Sequence, residues 1–445
     1  MCGIFGVTSC QRSSFITYIA LYSLQHRGQE SCGIAVYSDN GYRYYNSMGL
    51  VQEAFSVDVI NRLSGSSAIG HVRYSTTGSS TITNSQPLFF RTRFGEFCVA
   101  HNGNIVNSKQ LKSELSAKGS IFQTTTDSEI IAHLISFSKE NTFIDALIDG
   151  LKKLKGAYCF VFLFKNEVIA ARDPWGFRPL VIGKNGRSFA FASETSALDS
   201  IGYSYLGEVK PAEIVRAFNG RIIRRFFGRT QRYFRCIFEQ VYFARPDSFV
   251  CGKSVFSARY LCGRMLAREF KIDADLVSGV PDSGVAYALG YSAESGIRFV
   301  PVFMKNHYAP RSFIQPSQKL REFIADLKLS PIKDNIKGKK IILIDDSIVR
   351  GTTSRRIVSK LKKAGAKEIY MLVGSPAIKG PCYYGIDTPT EDELIANRMD
   401  IEGIRKFIGV DKLYYISLES LKKACGGDEN FCTACFDKNY PVKEG

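Results

Sequence analysis

The stretch KKIILIDDSIVRGTTSRRIVSKLKKAG (339–365) constrains the fold more than any other part of the chain. Its apolar run, Ile341 to Ile344, is bounded by charge and fits a buried strand of a parallel sheet. Ile357, Val358, Leu361 and Ala364 then recur at helical spacing. Between strand and helix, Ser347 to Thr353 supply hydroxyls, Arg350 and Gly351. A strand–loop–helix of this kind turns backbone N–H groups and a helix N-terminus toward an anion, so it can cradle a phosphate. Asp345 and Asp346 sit at the strand's C-terminal end, where adjacent carboxylates suit ribose hydroxyls or a magnesium ion. A generic αβ turn with a capping threonine is the plainer alternative.

The surrounding sequence divides near residue 230. After it, LVSGV (276–280), YALGYSAESG (287–296), FVPVFM (299–304), IILIDD and EIYMLVGS (368–375) alternate strand and helix patterns. That alternation predicts a parallel sheet with helices on both faces. Before it, short β-branched and aromatic runs recur, and 157–173 reads as a hairpin. An antiparallel α+β sandwich is expected there. FNGRIIRRFFGRTQRYFRC (218–236) reads as the crossover. With 445 residues and ~100–200 residues per domain, two domains are expected, 1–230 and 231–445.

Composition narrows the function classes. No apolar run approaches the ~18 residues of a membrane span. The formal net charge is +17, but Lys and Arg are spread through both halves rather than gathered on one face or tail. That distribution fits capture of small polyanions better than nucleic-acid binding, for which charge alone is a weak warrant. Twelve cysteines are too few for a disulfide scaffold, and the N-terminus lacks the charged and apolar regions of a secretory signal. Reduced thiols and a cytoplasmic location are expected.

The chain opens MCGIFGV. Trimming of the initiator methionine favours a small second residue, so a mature chain beginning at Cys2 is expected. One residue then carries both a thiol and an α-amine of pKa about 7.7–8.0, a nucleophile with its own base. LQHRGQES (24–31), GHVRYSTTG (70–78), AHNGN (100–104) and TTTDSE (124–129) pack polar groups around glycines. With Cys2, and in this order, they resemble the glutaminase domain of the N-terminal-nucleophile amidotransferases. The resemblance implies Cys2 as nucleophile on the glutamine amide. It implies Asn102 and the Gly103 N–H as oxyanion hole, and Arg73 for the glutamine α-carboxylate. Asp127 would take the α-ammonium, and Arg27 and Gly28 would form the wall beside the nucleophile. Read singly, Arg73 could be a surface ion pair, Asp127 a helix cap and Asn102-Gly103 a turn.

The segment 339–365 resembles the phosphoribosylpyrophosphate (PRPP) motif of type I phosphoribosyltransferases. The resemblance implies ribose and Mg²⁺ for Asp345 and Asp346, and the 5-phosphate for Ser347 through Thr353, including Arg350, Gly351 and Thr352. LVSGVPDSG (276–284) is similar to the family's pyrophosphate loop, implicating Asp282 and Ser283, the latter also toward Mg²⁺. KNHYAPRSFIQPSQKLRE (305–322) resembles its flexible loop, with Lys305, Tyr308 and Arg311 as contacts; a solvated basic loop is the alternative. Two departures stand out: Gly284 where many members have Ser, and Asp326 where an Arg is common. Lys328 remains a candidate contact.

Both signatures on one chain resemble the glutamine PRPP amidotransferases over essentially its whole length. The implied architecture is an N-terminal-nucleophile sandwich followed by a type I phosphoribosyltransferase domain. The implied reaction passes ammonia from glutamine to C1 of PRPP, giving phosphoribosylamine in the first committed step of purine synthesis. Purine-nucleotide feedback and a homotetramer are implied too. The C-terminal NFCTACFDKNYPV (430–442) has a Cys-x-x-Cys, which alone suggests zinc, redox chemistry or an iron–sulfur cluster. Some family members carry a 4Fe–4S cluster, and their ligand contexts match Cys236, Cys382, Cys432 and Cys435. Zinc is the alternative metal. The rival functions are a PRPP-sensing regulator without turnover, a different glutamine amidotransferase, and a catalytically dead paralogue.

Overall fold

The structure is a computed structural model describing residues 1–74, 78–229, 232–306, 328–388, 390–427 and 430–442. Two antiparallel sheets build the first half. One is ordered β11 (Ser204–Glu208), β9 (Val181–Asn185), β10 (Ser188–Ala192), β1 (Gly3–Thr8), β4 (Ser67–Arg73), β2 (Ser31–Ser38), β3 (Gly41–Met48). The other runs β13 (Arg221–Phe226), β12 (Glu213–Phe218), β8 (Glu167–Arg172), β7 (Gly156–Phe164), β6 (Gly95–Ile105), β5 (Leu88–Thr92). Their inner faces share one apolar layer in which Ile4 and Ile69 meet Val161 and Val168. Gly6 lets them approach, since a Cβ there would stand 2.6 Å from Val161. Helix Ser13–Ser23 covers one outer face, and Ile130–Phe137 with Phe143–Lys153 covers the other. The result is the expected α+β sandwich, and the 157–173 hairpin is present as β7 and β8.

The second half is built on four parallel strands, Leu276–Gly279, Lys340–Asp345, Glu368–Val373 and Lys412–Tyr415. Period-2 alternation sends Ile342 and Ile344 toward helices Val255–Glu269 and Gly284–Ser295. It sends Ile341 and Leu343 toward Thr352–Lys363 and Ile401–Ile408. Among the described residues no helix is long and apolar enough to cross a membrane.

Two details differ from expectation. FVPVFM does not add a strand to the parallel sheet: Phe303–Lys305 pairs antiparallel with Leu329–Pro331, and Phe299 forms only an isolated bridge to Val277. The proline inside the run cannot donate a ladder hydrogen bond, which explains the interruption. The predicted crossover 218–236 begins as an edge strand, because Asn219 and Gly220 both take positive φ and close a tight hairpin between β12 and β13. The Asn-Gly pair was the available signal. Its arginines are partly paired, Arg224 to Glu213 at 2.7 Å and Arg225 to Asp145 at 2.8 Å.

Candidate active site

Cys2 immediately precedes β1, which lies between β10 and β4 of the sandwich. Its backbone nitrogen lies 3.2 Å from Asn102 Oδ1, and its Sγ lies 3.5 Å from the Tyr74 carbonyl. Asn102 is inside β6, paired opposite Cys159, so it is not a turn residue. The Asn102 Nδ2 is buried and has no hydrogen-bond partner among the described residues. An unmet buried donor costs roughly 1–3 kcal/mol. Here it sits on the residue whose other amide atom meets the Cys2 nitrogen, where an oxyanion formed at Cys2 would accept from it. Gly103 packs so tightly on β7 that a Cβ would stand 2.1 Å from the Ala157 carbonyl.

Arg73 is buried at the end of β4; its Nη1 donates to the Ser79 carbonyl at 3.1 Å and lies 3.7 Å from Glu30. Asp127 is buried too. It does not cap the following helix; its Oδ2 accepts from the Ile105 N–H at 2.8 Å, three residues beyond Asn102. Gly28 lies against the Val72–Arg73 peptide, where a Cβ would be 2.4 Å from Val72 C. The scattered segments are thus drawn together by β1, β4 and β6.

Arg27 is fully buried, and its Nε donates to the Cys2 carbonyl at 3.1 Å. Its other nitrogens bind Glu194 at 2.5 Å and Glu239 at 2.8 and 3.0 Å. The second buried guanidinium, Arg178, stands 3.5 Å from Glu239 and donates to the Tyr384 carbonyl at 2.9 Å. Met1 fills the space between these arginines, its sulfur 2.6 Å from Arg178. Burial lowers its α-amine to about 6. Sequence reasoning missed Glu194, Glu239 and Arg178. The one hint was that a buried arginine requires carboxylate partners.

In the second half, Asp345 and Asp346 are buried at the C-terminal end of strand Lys340–Asp345. Burial, reinforced for Asp345 by its neighbour, pushes both carboxyls upward. Ser283 and Ser347 each donate to Asp346 at 2.5 Å. Ser283 and the acidic pair are therefore one unit. Gly351, at φ +74°, leads into helix Thr352–Lys363, whose first two residues expose their side chains. Arg350 pairs with Glu393 at 3.2 Å. Lys305 forms an ion pair with Asp282. The Gly284 departure has a steric reason: a Cβ there would lie 2.3 Å from the Ile344 carbonyl. Tyr308, Arg311 and Asp326 lie outside the described residues, and Lys328 does not line the cleft.

One cleft connects the halves. Asp282, Ser283, Asp345, Asp346 and Thr352 line it together with His26, Gln29 and Tyr74 from beside Cys2. Tyr74 Oη lies 3.1 Å from Asp387 Oδ2, and Asn104 Nδ2 donates to the Tyr383 carbonyl at 2.8 Å.

Cys236, Cys382, Cys432 and Cys435 line a separate apolar cavity walled by Phe177, Phe238, Ile378, Tyr384 and Arg178. Cys236 and Cys432 are register partners in a short parallel pair, and Tyr384 N–H points to Cys382 Sγ at 3.3 Å. Burial pushes the Cys236 thiol up to about 11 and raises Cys432 and Cys435 as well. Among the described residues no three metal-ligating side chains stand where one ion could be held.

Fold and cleft together define a glutamine amidotransferase joined to a phosphoribosyltransferase. Residues 71–200 match the profile of the glutamine amidotransferase domain. The chain is 47% identical to a chloroplastic amidophosphoribosyltransferase of Arabidopsis thaliana, over 99% of this chain and 79% of that one. It is 46% identical to the amidophosphoribosyltransferase of Methanocaldococcus jannaschii, over 100% of this chain and 98% of that one. The solved glutamine PRPP amidotransferase of B. subtilis, complexed with ADP and GMP, superposes with a TM-score of 0.94 at 44% identity, covering 100% of this chain and 98% of that one. The chain belongs to the amidophosphoribosyltransferase family.

Proposed function

We propose that this enzyme aminates PRPP with glutamine, yielding 5-phosphoribosylamine, glutamate and pyrophosphate at the first committed step of purine biosynthesis. The single cleft reaching from beside Cys2 to the acidic pair carries this reading. Loss of Met1 would relieve the burial of its amine between two arginines and free the Cys2 α-amine as base. The Cys2 thiolate attacks the glutamine side-chain carbonyl carbon, and Asn102 Nδ2 with the Gly103 N–H stabilises the oxyanion. The intermediate collapses to a thioester with loss of ammonia, and water then releases glutamate. Arg73 and Asp127 hold the α-carboxylate and α-ammonium, with Arg27 and Gly28 walling the nucleophile.

Ammonia crosses the cleft and attacks C1 of PRPP as the C1–pyrophosphate bond breaks. The residues 347–353 hold the 5-phosphate. Asp282, Ser283 and Lys305 face the pyrophosphate, and Tyr308 is assigned there by resemblance. Asp345 and Asp346 bind the ribose hydroxyls. With Ser283 they also fit Mg²⁺, because buried adjacent carboxylates need a counter-charge; when bound, the ion neutralises the leaving pyrophosphate. The active unit divides near residue 230. Because the B. subtilis relative was solved with ADP and GMP, purine nucleotides are proposed as inhibitors. A cytoplasmic homotetramer completes the reading.

The four-cysteine cavity fits a 4Fe–4S cluster of structural role. It ties Cys236 to the C-terminal segment. Iron and acid-labile sulfide in anaerobically purified protein should approach four of each per chain, and Cys432→Ser should lose both; zinc instead of iron would overturn the assignment.

The central test is anaerobic turnover with glutamine, PRPP and Mg²⁺. Glutamate and pyrophosphate should appear in equal amounts, and Cys2→Ala should lose glutamine use while keeping ammonia use. Absence of pyrophosphate with either nitrogen donor would reduce the second half to a PRPP sensor.

A further inference from the structure

We propose that Glu239 is the positioning residue through which occupancy of the PRPP cleft is transmitted to Cys2. The inference rests on the coupled reaction proposed above. Glu239 opens a π-helical turn, Glu239–Phe243, whose Tyr242 and Phe243, with Ala244 to Pro246 beyond, form the cleft wall facing the acidic pair. Its own carboxylate points the other way and is fully buried. Both of its oxygens accept from Arg27, at 2.8 and 3.0 Å, and Arg27 Nε holds the Cys2 carbonyl at 3.1 Å. One side chain therefore separates the cleft wall from the residue that holds the nucleophile.

Both ends of this linkage are stiff. Arg259 clamps the turn, donating to the Gln240 carbonyl at 2.9 Å and the Ala244 carbonyl at 2.8 Å, and Tyr287 Oη donates to the Val241 carbonyl at 3.0 Å. The turn thus moves as a body rather than flexing residue by residue. At the far end, Glu194 fixes Arg27 at 2.5 Å and also accepts from the Arg245 N–H at 3.0 Å and Ser248 Oγ at 2.7 Å, just past the turn. A planar guanidinium held on two carboxylates leaves no slack. Two buried arginines face two buried carboxylates, so the cluster is neutral as built, and Glu239 is the member carried by the cleft wall. A ligand that shifts the turn must shift Arg27, and with it the Cys2 carbonyl.

The test uses the full-length holoenzyme and compares Glu239→Gln with wild type. Glutamate release is measured with and without PRPP and Mg²⁺, alongside pyrophosphate release driven by ammonia. Wild type should release glutamate faster when PRPP is present. In Glu239→Gln that stimulation should fall toward one-fold and the glutamine KM at saturating PRPP should rise at least ten-fold. Ammonia-driven turnover should stay within two-fold. The proposal is overturned if stimulation and KM are unchanged, if wild type shows no stimulation, or if ammonia-driven turnover falls in parallel, which marks a structural role. Should Glu239→Gln fail to fold, Glu239→Asp, which keeps the charge and shortens the reach, is read by the same criteria. Absence of ammonia-driven pyrophosphate release in wild type would instead defeat the proposed reaction.

Discussion

The two ends of the cleft are built in opposite ways. Around Cys2 the groups are buried and held by contacts that span the chain: Cys2 to Asn102, Arg27 to Glu239, Asp127 to the Ile105 peptide. Around Asp346 most of the chemistry comes from one contiguous stretch, 345–353, completed by Ser283. The first end is assembled by the sandwich. The second is carried by one βα unit, so it is local in sequence and open in space. The difference follows from the tasks. Thioester chemistry needs a fixed nucleophile and a fixed oxyanion donor, whereas phosphoribosyl transfer needs charge placed around a large polyanion.

That contrast can be broken by a reciprocal pair of substitutions, the largest effect expected. Asn102→Ala removes the proposed oxyanion donor and should lower glutamine-dependent kcat by about 10²–10³-fold, leaving ammonia-dependent turnover within two-fold. Asp346→Asn should do the reverse. Ammonia-dependent turnover should fall by at least a hundred-fold, while PRPP-independent glutamate release persists. Steady-state kinetics with the two nitrogen donors checks both. If either variant lowers both activities equally, the ends are not separable and the contrast fails.

The same contrast explains what was legible in the sequence. The strand, the loop and the helix over 339–365 could be read from hydrophobic period and charge, because their residues are neighbours in the chain. The glutaminase residues offered no such pattern. Read singly, Arg73, Asp127 and Asn102-Gly103 had plain alternatives that local sequence could not reject. Asn102 lies within a strand, and Asp127 uses its side chain on Ile105 rather than on the next helix. Only their joint order, through family resemblance, pointed to a site. Glu239 was invisible because its partners Arg27 and Arg178 lie far away in sequence. The fourth parallel strand, Lys412–Tyr415, is too short to announce itself by period.

The smallest expected effect concerns stability, and it probes how dry the glutaminase end is. His71 lies on β4, fully buried, with Nε2 donating to the His101 carbonyl at 3.0 Å and Nδ1 without a partner among the described residues. Burial lowers its pKa to about 3, and burial also lowers that of His101. Both rings are therefore neutral in the fold, whereas an unfolded histidine takes its proton near pH 6.5. Below pH 6.5 the unfolded chain binds more protons than the native one, so stability must fall as pH falls toward 3. A fully neutral His71 contributes a slope of about 1.4 kcal/mol per pH unit over that window. His71→Gln should remove one such contribution. The drop in thermal midpoint of the first half between pH 6.5 and 4.5 should then be visibly shallower than in wild type, with glutamine KM as a check that the site survives. An unchanged slope would mean that His71 is solvated or charged in the native protein, and that the glutaminase end is as open as its counterpart.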